Sequence, residues 1–484
     1  MKFTRNRAKK TLRVSKDQKP LKLSFSADGL SGFGGLPLLE KVSRVTGFFD
    51  GAASKLQDHR TQSLIDHNKI RLLRQAVMLT ATGYADSNDS DKHRHDPVCQ
   101  EVIGPAKNGL GDLASQPTMA RFYKEMESEE LDGLEDWLME FYLRNHPVKP
   151  RRIYFYVDGT AVETFGKQEG ATYRGGTYSK EMLFPLTVYD QDGWLLSVKM
   201  RSGFEAEATT VLGVLEPLVG KVRNRWNKVE IVLVVDGGFK SPSLLNWCET
   251  NKVDYIAGYN ASHAIRVKVK SETKKLSALF ERKFGPPRYL GKDGRKKSQA
   301  EHVRIRTIQD AKKRMEEEKK ASSRMLRIIV EDAHRGSSWP KDHPERRVVI
   351  RVDYTDKGLD IRCLLTSFKN YTAEKIYEMY TRRGSSERWI GELKNSLRFN
   401  CQSFTSNRCR LLIHGFAYQL LWLLRSFCSK AFQNRTIVSI RQIFIEIPVA
   451  ITFGKRYTDW ALASHYPYQV EFLRLAKKLE SRTC

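Results

Sequence analysis

Acidic residues are few in this sequence relative to basic ones. The 484-residue chain has 56 aspartates and glutamates against 83 lysines and arginines, which leaves a formal net charge of +27 at pH 7. Because like charges on one chain repel each other, a surplus of this size indicates a polyanionic partner or a salt-rich environment. A polyanion is therefore the first class of partner to consider.

Cysteine pairs and long hydrophobic runs are also lacking. The seven cysteines include no Cys-x2-Cys pair, which argues against a closed zinc site and suits reduced thiols inside a cell. The longest uncharged apolar stretch, Leu411 to Leu424, is well short of the ~20 residues that cross a bilayer. The basic N-terminus lacks the apolar run of a secretion signal, and no Walker-type glycine loop is present. We therefore expect a cytoplasmic protein without membrane contact that is not an ATP-dependent DNA motor.

Hydrophobic residues make up 40% of the chain, which is enough to bury cores. Their spacing is helical near the N-terminus, as in Leu64 to Leu79, and becomes extended from Ile153 onward. Three predicted strands joined by hairpins are followed by helix and strand in alternation, which is typical of an α/β domain with a mixed sheet. The predicted divisions are a basic flexible arm (1–28), a helical N-terminal region (29–149), the first part of the core (150–261), a basic β-rich insertion (262–367), and core completion with a helical C-terminal region (368–484).

The predicted insertion has two segments that alternate basic and β-branched residues. Arg266 to Lys270 and Val303 to Arg306 follow this pattern, which predicts strands with a cationic outer face. A charged helix is predicted from Ala311 to Lys320. These cations suit a DNA-facing surface, but an ordinary solvated face explains them equally well, since lysine and arginine are normally exposed.

A short helix in the N-terminal region is a candidate for reading DNA. In LASQPTMARF, Ser115 suits an N-cap and Pro117 the first helical turn, which leaves Arg121 exposed on the helix. A helix that follows a tight turn can enter a DNA groove. The alternative is a plain surface helix of a helical subdomain, and the sequence leaves both interpretations open.

Two aspartates end predicted strands of the core. Asp158 follows the first strand in YVDGT, and Asp236 follows the fourth strand in VVDGGF. Each one alone could be a turn residue, and Asp236 could also cap a helix. However, the carboxyl ends of strands in one sheet are where α/β folds place ligands. Together the two aspartates therefore point to a site.

A third carboxylate belongs to a predicted helix that extends from about Ala373 to Leu397. On one continuous helix, Tyr380, Arg383, Glu387 and Lys394 would lie within a sector of ~60°, whereas Glu392 would lie ~120° away. This face presents one aromatic ring, two cations and one carboxylate. The alternative interpretation is an exposed helix stabilised by ordinary salt bridges.

These residues resemble a known family, the DDE transposases of bacterial insertion sequences. Tyr380, Arg383, Glu387 and Lys394 match the Tyr-x2-Arg-x3-Glu-x6-Lys signature of one branch. Four further segments resemble the insertion-sequence 1380 group, and all five motifs occur in the order of that group. The four segments are RHDP (94–97), LASQPTMARF (113–122), QEGATYRGGTYS (168–179) and DGGF (236–239).

The resemblance implies a ribonuclease-H-like, retroviral-integrase-like core with Asp158 on its first strand, Asp236 on its fourth and Glu387 on a later helix. These three acids would be catalytic and would hold two Mg²⁺ ions, for which Mn²⁺ would substitute, because hard ions prefer carboxylate oxygens. Arg383 and Lys394 would hold phosphates of the DNA. Tyr380 would pack against the site or contact the DNA backbone.

The implied function is a transposase that binds the ends of its insertion sequence and carries out DNA cleavage and strand transfer. Its partner would be double-stranded DNA, with Arg121 and the helical N-terminal region as the candidate readers of the ends. The resemblance also implies a homodimer in the synaptic complex and a bacterial, nucleoid-associated location. Two alternatives are a catalytically silent DNA-binding protein of transposase descent and a nuclease that cuts without joining.

Overall fold

The computed structural model describes residues 10–482, apart from 14, 16–18, 20, 105–110, 175–178, 206, 288–323, 337–338, 341–342, 395–396, 398 and 455. The strand and the helix predicted at 303–306 and 311–320 lie outside the described residues. The chain divides into two units, one formed by residues 1–137 with 392–484 and the other by residues 138–391. No helix among the described residues is both long and apolar enough to cross a membrane.

An eight-stranded mixed sheet organises the 138–391 unit, which confirms the predicted α/β class. The strands lie in the order β6-β7-β8-β5-β4-β1-β2-β3. Strands β1, β4 and β5 run parallel, and the other neighbouring pairs are antiparallel. In chain order the strands are β1 (Arg152–Gly159), β2 (Leu186–Tyr189), β3 (Leu195–Lys199), β4 (Glu230–Val235), β5 (Asp254–Tyr259), β6 (Met325–His334), β7 (Arg346–Thr355) and β8 (Gly358–Thr366).

The parallel strands form the buried centre of this unit. Strand β4 is buried from Ile231 to Val235, and its uninterrupted apolar run is typical of a strand covered on both faces. A separate three-stranded sheet contains Val162–Glu163, Lys180–Leu183 and Thr172–Arg174. The described residues of the unit form the helices Glu207–Arg225, Gly237–Phe239 (3₁₀), Pro242–Thr250, His263–Lys268, Lys270–Phe284, Ala373–Thr381 and Gly384–Lys394. The helices Ser128–Asn145 and Gly384–Lys394 extend across the boundary between the two units.

The segment predicted as a basic β-rich insertion adds β6, β7 and β8 to the core sheet. The strand predicted at 266–270 is wrong, because the helices His263–Lys268 and Lys270–Phe284 meet there at Val269. The Ser262 hydroxyl caps the helix His263–Lys268 by accepting from the backbone N–H of Ile265 at 3.4 Å. Ile265 and Val269 are buried while Val267 is 55% exposed, so burial repeats every four residues and not every two.

The other unit is mostly helical, with the long helix Phe404–Phe427 at its centre. That helix packs against Leu36–Thr46, Lys69–Ala81, Gln116–Lys124 and Ile437–Phe444. The helical C-terminal region of the prediction also contains a hairpin, Val449–Phe453 with Thr458–Leu462, which pairs with Leu30–Ser31. The remaining elements are the strands Lys10–Leu12 and Leu21–Leu23 and the helices Phe48–Ala53, Asp89–His93, Pro97–Ile103, Lys430–Gln433 and Gln469–Glu480.

Candidate active site

Two carboxylates lie side by side at one edge of the sheet. Strands β1 and β4 are parallel neighbours, and their register pairs Val157 with Val235. The next residues along these strands are Asp158 and Asp236, so both aspartates lie at the carboxyl ends of adjacent strands. The pairing of the strands therefore brings together two acids that are far apart in the chain.

The two aspartates differ in their surroundings. The Asp158 side chain is 11% exposed, whereas that of Asp236 is 40% exposed. One oxygen of Asp236 accepts from the backbone N–H of Gly238 at 2.8 Å and caps the short helix that follows β4. The cap that the sequence allowed for Asp236 was that of the following helix, Pro242–Thr250, which Ser241 caps instead. The cap on Gly237–Phe239 uses one carboxylate oxygen of Asp236 and leaves the other facing Arg383.

The third carboxylate belongs to a helix that the sequence predicted to be continuous over residues 373–397. That prediction is wrong, because a turn separates two helices, Ala373–Thr381 and Gly384–Lys394. Gly384, the first residue of the second helix, has a low helix propensity, which disfavours a helix that continues through it. In addition, the carbonyl of Arg383 accepts from the backbone N–H and the hydroxyl of Ser386 at 2.8 and 2.7 Å, which is a local bond across three residues and differs from the four-residue bonding of a continuous helix. The predicted stripe along a single helix face therefore does not form.

The turn brings one guanidinium group to all three acids. Arg383 Nη2 forms an ion pair with Asp158 Oδ2 and lies 3.7 Å from Asp236 Oδ2. Arg383 Nη1 lies 3.6 Å from Glu387 Oε1 in the first turn of the second helix. The structure thus brings Asp158, Asp236, Arg383 and Glu387 together. The cation lies between the carboxylates and does not lie alongside them as the predicted stripe required.

A buried tryptophan anchors the helix that carries Glu387. Trp389 is 3% exposed, and its ring lies 5.6 Å from the ring of Tyr189 and 6.2 Å from that of Tyr156, measured between centroids. A Cβ at Gly193 would approach the Trp389 ring to 2.5 Å, so the turn between β2 and β3 needs a glycine there. The Gly193 backbone also has φ +90°, which disfavours other residues. These contacts fix the helix against the sheet.

The buried aspartate has an altered acidity. Burial raises the pKa of Asp158 to about 6, because desolvation penalises the carboxylate form. The guanidinium of Arg383 opposes this rise in pKa, whereas the negative charges of Asp236 and Glu387 add to it. At neutral pH the Asp158 side chain is mostly a carboxylate that needs a positive neighbour.

Tyr380 lies over a glycine that the sequence analysis missed. A Cβ at Gly258, on β5, would lie 2.9 Å from the Tyr380 hydroxyl, 2.8 Å from the Gly237 nitrogen and 3.1 Å from the Asp236 carbonyl carbon. Burial raises the pKa of Tyr380 above its ordinary value, so the hydroxyl stays protonated. A glycine inside a strand is a signal of close backbone approach, and that signal could have identified Gly258.

Three other residues of the predicted patterns lie in the unit formed by 1–137 and 392–484. Arg121 is exposed on Gln116–Lys124, and Lys394 is exposed at the end of Gly384–Lys394. Their roles in DNA binding stay predictions. Glu392 is buried and pairs with Arg425 at 3.4 Å, so its carboxylate has a structural partner.

Comparison with known proteins identifies the family. A family model described as "Transposase DDE domain group 1" matches residues 14–484. The chain belongs to the DDE transposase family. A search of curated proteins finds no match. Among solved structures, a cryo-EM piggyBac transposase synaptic complex with hairpin DNA is 9% identical, with a TM-score of 0.37 over 86% of this chain and 80% of that one. At this TM-score, the likeness establishes neither fold nor function.

In this DDE transposase, the acidic cluster has the right chemistry for a hard cation. All three side chains offer carboxylate oxygens, and they already surround a positive group. Among the described residues, no three acidic, histidine or cysteine side chains are arranged to hold a metal ion directly. The Arg383 guanidinium lies within ion-pair distance of all three carboxylates instead.

Proposed function

We propose that this DDE transposase binds the ends of its mobile element and catalyses DNA cleavage and strand transfer. Asp158, Asp236 and Glu387 are the proposed catalytic triad. The observation that carries the proposal is the convergence of these acids, from two parallel strands and a helix, within ion-pair distance of a single guanidinium. Folding alone does not favour three acids at one point, because like charges repel each other.

The order of the first five sheet strands supports a ribonuclease-H-like core. The third, second, first, fourth and fifth strands are neighbours in that order. The second strand is antiparallel to the first, and the fourth and fifth are parallel to it. This arrangement puts the proposed catalytic aspartates on neighbouring strands, as the resemblance implies.

The proposed cofactor is a pair of Mg²⁺ ions, for which Mn²⁺ would substitute. Asp158, Asp236 and Glu387 would hold these ions, because each offers carboxylate oxygens near the same guanidinium. When bound, such ions activate the attacking hydroxyl and stabilise the leaving oxygen. This reaction needs no nucleophile from the protein, because water or a DNA 3′-hydroxyl attacks the phosphorus.

The residues around the acids would position DNA. Arg383 and Lys394 would pair with phosphates next to the scissile bond, and the protonated Tyr380 hydroxyl would donate to the DNA backbone or pack against the site. The net charge of +27 supplies the sequence-independent part of the affinity for double-stranded DNA. Arg121 and its helix are the proposed readers of the element ends.

The biological setting is also part of the proposal. The five sequence motifs resemble those of the insertion-sequence 1380 group, and this resemblance supports a bacterial mobile element and action at the nucleoid. Joining two element ends requires both to be held at once, which a homodimer would achieve.

The test is cleavage of a candidate element end by the wild type and by Asp158→Asn, Asp236→Asn and Glu387→Gln, with DNA binding measured in parallel. We expect each substitution to abolish Mg²⁺-dependent cleavage while DNA binding persists, because the acids take part in the reaction and most of the contacts with DNA are made by other residues. Glu374→Gln, an exposed acid on the preceding helix, is the matched control and should cut normally. Cleavage that persists in a triad variant would remove that residue from the site.

One further assay separates the alternatives. Precleaved ends with a free 3′-hydroxyl are supplied with Mg²⁺ and target DNA, and joined products are measured. A transposase forms joined products. A nuclease cuts intact ends in the cleavage assay but forms no joined products, and a silent DNA-binding descendant does neither.

A further inference from the structure

Arg383 occupies the acidic site in a way that its proposed DNA role does not explain. A residue that only holds a phosphate would point toward solvent and the incoming DNA. Its side chain is 13% exposed and lies within ion-pair distance of Asp158, Asp236 and Glu387. The guanidinium is therefore directed into the cluster.

The charges of this cluster are only partly balanced. One guanidinium offsets one of the three negative charges that the acids carry when ionised. A divalent cation would offset two charges at the same position, and carboxylates bind it with shorter contacts than they make to a guanidinium. The site therefore favours exchange of Arg383 for a doubly charged ion.

The hydrogen bonding of the Arg383 side chain is also incomplete. Its Nε is buried, and no hydrogen-bond acceptor for it exists among the described residues. A buried donor without a partner costs free energy, which lowers the cost of moving the side chain away. The backbone of Arg383 is bonded to Tyr380 and Ser386, so displacement would move the side chain and leave the turn in place.

We propose that Arg383 is the resident cation of the metal-free site: it gathers the three carboxylates, and a divalent ion has to displace it to bind. This proposal rests on the proposed function, in which the same acids are the metal ligands. The displaced guanidinium would then be free to pair with a DNA phosphate. Arg383 would thus link metal binding to its predicted contact with DNA.

The proposal is tested by metal affinity in the absence of DNA. Mn²⁺ binding to the full-length wild type, Arg383→Gln and Arg383→Lys is measured by isothermal titration calorimetry at fixed pH and salt. We expect Arg383→Gln to bind Mn²⁺ about tenfold more tightly than the wild type, since loss of a partly buried competing ion pair is worth about one power of ten. Arg383→Lys should fall between them, because an ammonium still competes but cannot reach all three acids at once.

The matched control is Arg382→Gln. Arg382 is the adjacent residue, is 61% exposed and pairs with Glu378 at 3.2 Å, so its loss should leave Mn²⁺ affinity unchanged. Equal or weaker Mn²⁺ binding by Arg383→Gln would overturn the proposal. Absence of Mn²⁺ binding in every protein, including the wild type, would instead overturn the metal site of the proposed function, and this inference with it.

A second measurement keeps the test valid if Arg383→Gln does not fold. Structures of the wild type are determined with and without Mn²⁺, and the contact between Arg383 and Asp158 is compared. We expect that contact to be absent when the ion is bound. A guanidinium that stays between the carboxylates beside a bound ion would contradict the proposal.

Discussion

Single residues decide how closely the elements of the site approach each other. Gly258 lets the Tyr380 hydroxyl and the Asp236 backbone lie against β5, since any Cβ there would come within 3.1 Å of both. Contacts this short force neighbouring groups to shift. The position of Asp236 therefore depends on a residue that carries no chemistry itself.

We predict that Gly258→Ala impairs both catalysis and stability. Its added methyl group should shift Asp236 or Tyr380 and lower cleavage by roughly 10- to 100-fold, because small displacements of reacting groups are costly, while unfolding free energy falls by about 1–3 kcal/mol. Cleavage rates and urea denaturation measure the two effects. Gly213→Ala is the control: a Cβ there meets nothing within 4 Å, and alanine favours its helix. Wild-type cleavage by Gly258→Ala would show that the site tolerates this shift.

Another single residue should make stability depend on pH. Asp190 is 1% exposed and accepts from the backbone N–H groups of Asp192 and Trp194 at 2.9 and 2.8 Å. Burial raises the pKa of Asp190 to about 7 from its ordinary 3.8. Between these values the folded protein keeps a proton that the unfolded chain releases, so the free energy of unfolding should decrease as pH rises from about 4 to about 7.

The variant Asp190→Asn isolates this effect. Asparagine keeps an oxygen for both backbone donors but cannot ionise, so the decrease between pH 4 and pH 7 should be smaller than in the wild type by a few kcal/mol. Urea denaturation at several pH values measures it. The raised pKa of Asp158 contributes with the same sign in both proteins and cancels in the comparison. An identical pH profile in the two proteins would refute the assignment.

At the scale of elements, the site depends on how one helix is attached to the sheet. Glu387 lies on the exposed side of Gly384–Lys394, and Trp389 lies on its buried side. The helix therefore has one residue for chemistry and one for attachment within the same turn. Loss of the attachment should release the carboxylate without altering it.

We predict that Trp389→Ala costs about 3–5 kcal/mol of stability, as is usual for a buried large ring, and abolishes cleavage in the fraction that stays folded. Trp389→Phe keeps a ring against Tyr189 and should retain part of both properties. Thermal denaturation and cleavage at a temperature where each variant is folded measure the outcome. Full activity in folded Trp389→Ala would mean that Glu387 is positioned by other contacts.

At the scale of the whole molecule, the charge of +27 should control DNA affinity. We predict that the logarithm of the binding constant for a DNA duplex falls linearly with the logarithm of salt concentration, with a slope of about −0.9 for each phosphate contacted. Arg121→Gln and Lys394→Gln should each make the slope less negative by about 1, if each cation contacts one phosphate. A fluorescence-anisotropy titration at several salt concentrations measures the slope. Unchanged slopes would remove these two cations from the interface.

Local patterns in the sequence were sufficient to predict the central strands of the sheet. Runs such as VEIVLVV are short, rich in β-branched residues and followed by a turn signal, which is typical of buried strands, and the Asp-Gly pairs after β1 and β4 mark where those strands end. Asp158 and Asp236 therefore could be assigned to the ends of strands without coordinates. The class of the fold follows from the same alternation of periods.

The tertiary structure alone decided the helix at 263–268, the hairpin in the C-terminal region and the break between residues 381 and 384. Each depends on contacts or local bonds that periodicity does not report, such as the Ser386 hydroxyl on the Arg383 carbonyl. It also decided that Arg383 lies among the acids and not beside them. Sequence periodicity fixes which side of an element is apolar, whereas the meeting point of distant side chains depends on strand pairing and packing across the whole sheet.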